Sequence, residues 1–93
     1  MATDVWRDYF RNWPAEVERR GVLVTLFGEQ IAFNNFATSD TILMVERLAP
    51  DTVGARTVFV DYQQVAAVKI TDVVKMKSFQ SLGFVVPTST RKP

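Results

Sequence analysis

The first part of the chain alternates apolar and charged residues with the spacing of an α-helix. Apolar residues recur three and four positions apart, and charged residues occupy the opposite face. Thr3 is of the type that caps a helix N-terminus, and Pro14 should end or kink the helix because its ring removes a backbone donor and crowds the preceding turn. Residues 15–20 can form a second short helical turn, which Gly21 stops. The apolar helix positions are Val5, Trp6, Tyr9, Phe10 and Trp13. The pattern therefore predicts an N-terminal helical segment over residues 1–20.

From Gly21 onward the apolar positions repeat every second residue, which is typical of β-strands. Short polar turns and one longer loop separate the apolar runs. These connections are residues 28–30, 38–40, 49–55 and 63–64. The predicted strands are residues 22–27, 31–36, 41–48, 56–62 and 65–71. The region 21–72 is thus predicted to hold five consecutive short strands.

The last segment, residues 73–93, is predicted to be a C-terminal appendage and tail. A helix through residues 72–82 that ends at Gly83 fits the apolar spacing, and so does a strand through residues 73–74. Both alternatives stay open at this point. The end of the chain is polar and predicts an extended tail.

These elements predict a mainly β fold with an N-terminal α-helix. One helix followed by five short strands favours a small five-stranded bent-sheet barrel, a pattern that SH3-like domains also show. A chain of 93 residues is too short for a second core, so residues 1–20, 21–72 and 73–93 are expected to form one domain in all.

The composition then removes several kinds of chemistry. The chain has no cysteine and no histidine, which excludes thiolate zinc sites, cysteine nucleophiles and the usual general base. Asp40 and Asp61 stand beside predicted strand ends, but no second carboxylate is spaced to pair with either, and Asp40 is predicted to stabilise its turn. We therefore expect no enzymatic activity, no cofactor and no metal site.

Charge and hydropathy also bear on where the chain works. Eleven lysine and arginine residues against ten acidic residues leave a net charge of +1, so there is no polybasic arm. No apolar run reaches the roughly 18–20 residues that a membrane span needs. The first residues lack the basic and then apolar order of a secretory signal, which predicts a cytoplasmic protein that does not enter a membrane.

Two motifs carry a resemblance to a known family. The run Val-Leu-Val-Thr-Leu-Phe-Gly at residues 22–28 resembles the first strand and glycine of the Sm-like family, and of its bacterial Hfq-type branch most closely. Residues 58–68 are similar to the second family motif, which is a strand, a short turn and a strand. The chain departs from the family at Phe33, where the family has a glycine that bends the second strand, and in the two polar turns.

The resemblance implies a ring of five to seven subunits that binds single-stranded RNA. It places the RNA-reading positions in the turn after the second strand and in the turn after the fourth. In this chain those positions are Thr38, Ser39, Asp40, Tyr62, Gln63 and Gln64. The alternative function is a structural or adaptor homo-oligomer that binds protein partners without nucleic-acid activity.

The apolar excess points to self-association. A small sheet has exposed edges, and eleven aromatic residues are more than one small core needs. Pairing of the last two strands between neighbours predicts a cyclic homo-oligomer, and a dimer through the aromatic helix face is the alternative. The predicted interface residues are Trp6, Phe10, Trp13, Val58, Val60 and Val68.

Overall fold

The computed structural model describes residues 4–87 and contains one α-helix, five β-strands and two 3-10 helices. Helix α1 spans Asp4–Arg11. The strands are β1 (Gly21–Thr25), β2 (Gln30–Thr38), β3 (Ile42–Arg47), β4 (Thr57–Asp61) and β5 (Val65–Lys69). A 3-10 turn at Tyr62–Gln64 joins β4 to β5, and a C-terminal 3-10 helix spans Met76–Leu82. The mainly β class with an N-terminal helix is confirmed, and each predicted strand is present.

The five strands form one antiparallel sheet in the order β4-β3-β2-β1-β5. The sheet is bent but not closed, so β4 and β5 are its two edges. Gly21 lets β5 approach β1 closely, because a side chain there would collide with the backbone carbonyl of Lys69. Within residues 4–87, no helix is long and apolar enough to cross a membrane.

Strand β2 bends although it contains no glycine, and Phe33 stands where the Sm-like family has one. Phe33 pairs with Arg47 and Asn35 pairs with Glu46, which leaves Asn34 as an extra residue in β2. A bulge of this kind bends the strand and increases its twist. Phe33 is fully buried, and its ring meets Phe36 edge-on at 5.9 Å between centroids. The bulge therefore supplies the bend, and a large side chain fills the concave face that the bend creates.

The core lies between the concave face of the sheet and α1. Phe10 of the helix is 1% exposed and packs against Phe36 of β2, with 4.9 Å between ring centroids. Trp6 and Trp13 flank it and are partly buried against the same cluster. The buried cluster consists of Phe10, Leu23, Ile31, Phe33, Phe36, Leu43, Val45, Val60, Tyr62 and Val65. The aromatic face of the helix thus covers the core of its own subunit.

One local prediction that differs from the structure concerns the link between α1 and β1. Residues 15–20 form turns and bends rather than a second helical turn. A hydrogen bond from Trp13 Nε1 to the carbonyl oxygen of Val17, at 3.0 Å, holds this link against the core. The link stays non-helical because burial of Val17 and its hydrogen bond with Trp13 hold the backbone in this conformation.

The C-terminal segment follows the predicted helix in part: a helix ends at Gly83 as predicted, but it begins at Met76 and is of the 3-10 type. The alternative strand at residues 73–74 does not form. The segment is irregular up to Lys75 and then forms the 3-10 helix Met76–Leu82, which ends at Gly83 with a positive φ of 99°. No residue of that helix is buried, so no packed face extends it into an α-helix. The predicted cap Thr3 and the tail residues 88–93 lie outside the described residues.

Candidate functional site

The structure offers two candidate sites, which differ in how their polar groups are satisfied. One is the polar corner, formed by the turn after β2 and the 3-10 turn after β4. It comprises Thr38, Ser39, Asp40, Tyr62, Gln63 and Gln64. The other is the pair of open edges, formed by the outer sides of β4 and β5. The polar corner holds the positions predicted to read RNA, and the open edges hold part of the predicted subunit interface.

Tyr62 joins the two halves of the polar corner. Its hydroxyl donates a hydrogen bond to the carbonyl oxygen of Ser39 at 3.0 Å and accepts one from the Ser39 backbone N–H at 3.3 Å. The tyrosine is 3% exposed and belongs to the core cluster. Phe36, the other aromatic residue considered as a stacking platform, is 6% exposed. Neither ring therefore offers a face on which a nucleobase could stack in this conformation.

The remaining corner residues are held by local hydrogen bonds. Asp61 caps the 3-10 turn, because its carboxylate accepts a hydrogen bond from the Gln63 backbone N–H at 2.9 Å. The Gln63 side chain is exposed, and Gln64 is half-buried. The Ser39 hydroxyl accepts a hydrogen bond from the Ile42 N–H at 3.0 Å and donates one to the Ile42 carbonyl at 2.7 Å. These contacts confirm that the two short connections are built as turns.

The arginines of α1 approach the polar corner but meet acidic or carbonyl oxygens there. Arg11 forms an ion pair with Asp40, with 3.1 Å between Nη2 and Oδ1. Arg7 donates a hydrogen bond to the backbone carbonyl of Asp40 at 3.5 Å and lies 3.6 Å from the Asp8 carboxylate. The corner therefore has a mixed charge rather than a basic one.

Arg19 and Arg20, which follow α1 in the chain, also donate hydrogen bonds to oxygen atoms of the same chain. Arg19 donates hydrogen bonds to Asn35 Oδ1 at 3.2 Å and to the carbonyl of Phe36 at 2.7 Å, and its guanidinium lies 3.8 Å over the Phe36 ring. Arg20 contacts both carboxylate oxygens of Asp72, at 2.7 and 3.1 Å. That hydrogen-bonded pair lowers the pKa of Asp72 and raises the pKa of Arg20. The Asp72 carboxylate balances the charge of Arg20, whereas Arg19 keeps its charge but has its donors directed at oxygen atoms of the chain.

At the open edges, unlike at the polar corner, the outer backbone groups have no partner strand in the chain. Strand β4 pairs only with β3, and β5 pairs only with β1. Phe59, at the centre of β4, is 65% exposed. Sequence reasoning missed Phe59, although the period of two placed it on the face opposite Val58 and Val60. This exposure is large for an aromatic side chain on an edge strand.

The predicted interface residues divide into two groups. Val58 and Val68 lie on the edge strands and are partly buried at the border of the core. Phe10 and Val60 are buried inside the subunit, at 1% and 6% exposure, which differs from the expectation that they face a neighbour. The aromatic face of α1 is occupied in the same way, since Trp6 and Trp13 pack on the core. The open edges are thus the better candidate for a contact between copies.

Within residues 4–87, no group of three acidic side chains is placed to hold a metal ion. Comparisons of the chain with protein-family models, with curated proteins and with solved structures find no match. The functional argument therefore rests on the geometry of the two candidate sites.

Proposed function

We propose that this chain is a non-enzymatic, Sm-like subunit of a cyclic homo-oligomer, in which β4 of one subunit pairs with β5 of the next. The assembled ring serves as a structural or adaptor module for protein partners. The observation that carries this proposal is the unprotected outer side of β4. The order of elements, with a helix, a bent sheet and a short turn between the last two strands, agrees with what the family resemblance implies.

Natural sheets protect their edges, and β4 lacks the usual means. Edge strands commonly carry a proline, a lysine or a bulge that prevents pairing with another chain. Strand β4 has the sequence Thr-Val-Phe-Val-Asp, with neither proline nor lysine, and its ladder with β3 is regular from Ile42↔Asp61 to Glu46↔Thr57. The strand therefore presents a straight row of unpaired backbone groups beside an exposed aromatic ring. A partner strand would satisfy those groups and shelter the ring.

Charge favours β5 of another copy as that partner strand. Residues 28–61, which end with β4, contain five carboxylates and two arginines. Residues 62–87, which begin just before β5, contain three lysines and one carboxylate. Pairing of β4 with β5 brings these opposite charges together, whereas pairing of two β4 edges brings like charges together. A contact between two different edges repeats from copy to copy, and it closes into a ring when the rotation between neighbours is a whole fraction of a turn.

The polar corner supports the adaptor role over RNA binding. Its aromatic ring is buried, and the arginines beside it are paired with oxygen atoms of the same subunit. Single-stranded RNA is usually held by exposed stacking rings and free cations. RNA binding stays a prediction from the resemblance, and a direct measurement separates the two functions.

Light scattering after size exclusion, at micromolar concentration, tests the ring. We expect a mass of five to seven times the 10.5 kDa of one chain. Phe59→Lys should shift the protein to monomer, because a cation replaces the exposed ring in the middle of the edge. Val53→Lys is the matched control, since Val53 is 86% exposed but lies in the loop after β3. A stable mass near 10.5 kDa for the unsubstituted chain would contradict the proposal.

Fluorescence anisotropy with short A-rich and U-rich RNA, at two salt concentrations, tests the competing RNA-binding function. We expect no change in anisotropy at physiological salt. A rise that weakens as salt increases would show phosphate contacts and would favour the RNA-binding function instead.

A further inference from the structure

The C-terminal segment forms an apolar groove with helix α1. The ion pair between Arg20 and Asp72 anchors the segment just after β5, with 2.7 Å between Nη2 and Oδ1. Farther along the chain, the Phe84 ring contacts the Tyr9 ring of α1, with 5.8 Å between centroids. The 3-10 helix Met76–Leu82 lies between these two points in the sequence. The segment is therefore held at both ends by contacts with the N-terminal part of the chain.

One row of side chains on the 3-10 helix lines this groove. In a 3-10 helix, side chains three positions apart eclipse one another, and Met76, Phe79 and Leu82 have this spacing. The groove consists of an inner cavity of about 190 Å³, against α1 and the end of β5, and an outer cavity of about 310 Å³, against residues 84–86. Phe79 and Phe84 line both cavities, which therefore adjoin. The inner cavity is also lined by Trp6, Trp13, Val68 and Ile70.

The lining of the groove suits a hydrocarbon chain. None of the described side chains that line the two cavities carries a charge. Met76, Phe84 and Val85 are apolar and yet exposed. Concave apolar surface of this kind favours an apolar ligand. An extended peptide would instead bring backbone N–H and C=O groups into the groove, and each would need a hydrogen-bond partner there.

Two lysines beside the outer cavity indicate the charge of the ligand. Lys75 and Lys77 flank Met76, whose side chain lines that cavity. Both lysines are exposed, and neither makes an ion pair or a side-chain hydrogen bond within residues 4–87. The one carboxylate of residues 62–87 is that of Asp72, and Arg20 already contacts both of its oxygens. An anionic head group at the outer cavity would therefore meet unpaired cations.

From these features we infer that the groove binds a single-chain anionic amphiphile, namely a fatty acid. Its carboxylate lies at Lys75 and Lys77. Its alkyl chain passes Phe79 into the inner cavity, where it meets Trp6 and Trp13. This site goes beyond the proposed ring and adaptor function, because it is formed within one chain.

Quenching of tryptophan fluorescence by bromine tests the site and the orientation of the ligand. Trp6 and Trp13 are the two tryptophans of the chain, and both line the inner cavity. Undecanoate brominated at its terminal carbon, below its critical micelle concentration, should quench their emission in a saturable way. Undecanoate brominated next to the carboxylate should quench much less. Absence of saturable quenching by the first probe overturns the site, and equal quenching by both probes overturns the orientation.

A variant of the shared wall tests whether the groove itself binds the chain. Phe79→Ala should raise the dissociation constant of dodecanoate about tenfold in calorimetric titration, because it removes apolar contacts from both cavities. No residue of the 3-10 helix is buried, so the far-UV circular dichroism should not change. Phe27→Ala is the matched control, since Phe27 is exposed in the turn after β1 and lines neither cavity. Equal affinity losses for the two variants would overturn the groove.

Reversal of charge at the outer cavity tests the head group. The unsubstituted protein should bind dodecanoate about fivefold more tightly than dodecyltrimethylammonium, which has the same alkyl chain and a cationic head group. Lys75→Glu combined with Lys77→Glu should reverse that preference. Equal affinity of the unsubstituted protein for both amphiphiles would overturn the anionic ligand.

Vesicles separate a groove from a membrane-surface contact. Binding to phosphatidylglycerol vesicles without binding of free dodecanoate would show a membrane contact and overturn the groove. Binding of free dodecanoate with the variant effects above supports the groove. None of these measurements depends on the oligomeric mass, so failure of the fatty-acid site and failure of the ring are distinguished.

Discussion

Several polar groups of the polar corner have partners within the chain, whereas the outer backbone groups of the open edges have no partner strand. At the corner, the Tyr62 hydroxyl, the Asp61 carboxylate and the Arg11 guanidinium all contact atoms of the same subunit. At the edges, the outer backbone groups of β4 and β5 have no strand to pair with, and Phe59 is largely exposed. These polar groups of the corner are satisfied within one chain, whereas the outer sides of β4 and β5 pair with no strand of the chain.

Polar composition alone therefore does not locate a binding surface in this chain. The corner is rich in side chains that bind nucleic acid elsewhere, yet its buried tyrosine and its paired charges stabilise the subunit. Strand β4 contains few polar side chains, but its unpaired backbone is a strong reason for association. Substitutions at the corner should therefore change the free energy of unfolding, and substitutions at the edges should change the oligomeric mass.

The largest expected effect comes from Phe10, which separates a core role from an interface role. Phe10→Ala removes a fully buried ring that contacts Phe36, and should lower the free energy of unfolding by about 3–5 kcal/mol. Urea denaturation measures this loss. The mass of the folded fraction should stay that of the unsubstituted protein. A normal stability with a lower oligomeric mass would instead place Phe10 at a subunit interface.

An intermediate effect is expected at Tyr62. Tyr62→Phe keeps the ring but removes the hydroxyl that serves both backbone groups of Ser39, so it should cost about 1–3 kcal/mol of unfolding free energy. Tyr9→Phe is the control, because Tyr9 contacts Phe84 through its ring, and no hydrogen bond of its hydroxyl is present within residues 4–87. Equal losses for the two variants would show that the hydroxyl of Tyr62 does not hold the corner together. Neither variant should change the oligomeric mass.

The smallest expected effect is the pH response of the Arg20–Asp72 pair, which ties the C-terminal segment to the N-terminal link. The hydrogen bond from Arg20 lowers the pKa of Asp72 in the folded protein. A carboxyl with a lowered pKa stabilises the folded form above the ordinary aspartate pKa of about 3.9, and this contribution disappears as the pH falls through the folded value. An NMR titration of the Asp72 carboxyl should show the lowered pKa, and Arg20→Gln should return it toward the ordinary value. Titration at the ordinary pKa with Arg20 present would contradict the pair.

The sequence alone predicted the order of elements because their signals are local. The change of apolar period at Gly21, the polar turns and the stop at Gly83 each depend on a few neighbouring residues. The structure confirms the five strands and the N-terminal helix. The link at residues 15–20 was predicted wrongly, because a contact between the Trp13 side chain and Val17, rather than local propensity, decides its form.

Part of the candidate site could also be read from the sequence. The chain order shows that the last two strands are short and joined by a brief turn, and the period of two places Phe59 on the face opposite Val60. Burial could not be read in the same way. The apolar patterns of Phe10 and Val60 are equally consistent with a core and with an interface, and only packing places them inside the subunit.

Residue type and spacing are thus enough to predict the strands and the turns and to exclude cysteine and histidine chemistry. The positions of β4 and β5 at the sheet edges and the burial of Tyr62 against Ser39 follow only from the way the chain packs. Strand order and side-chain pairing join residues far apart in the chain. They depend on which faces meet when the sheet bends, and no local pattern encodes that meeting.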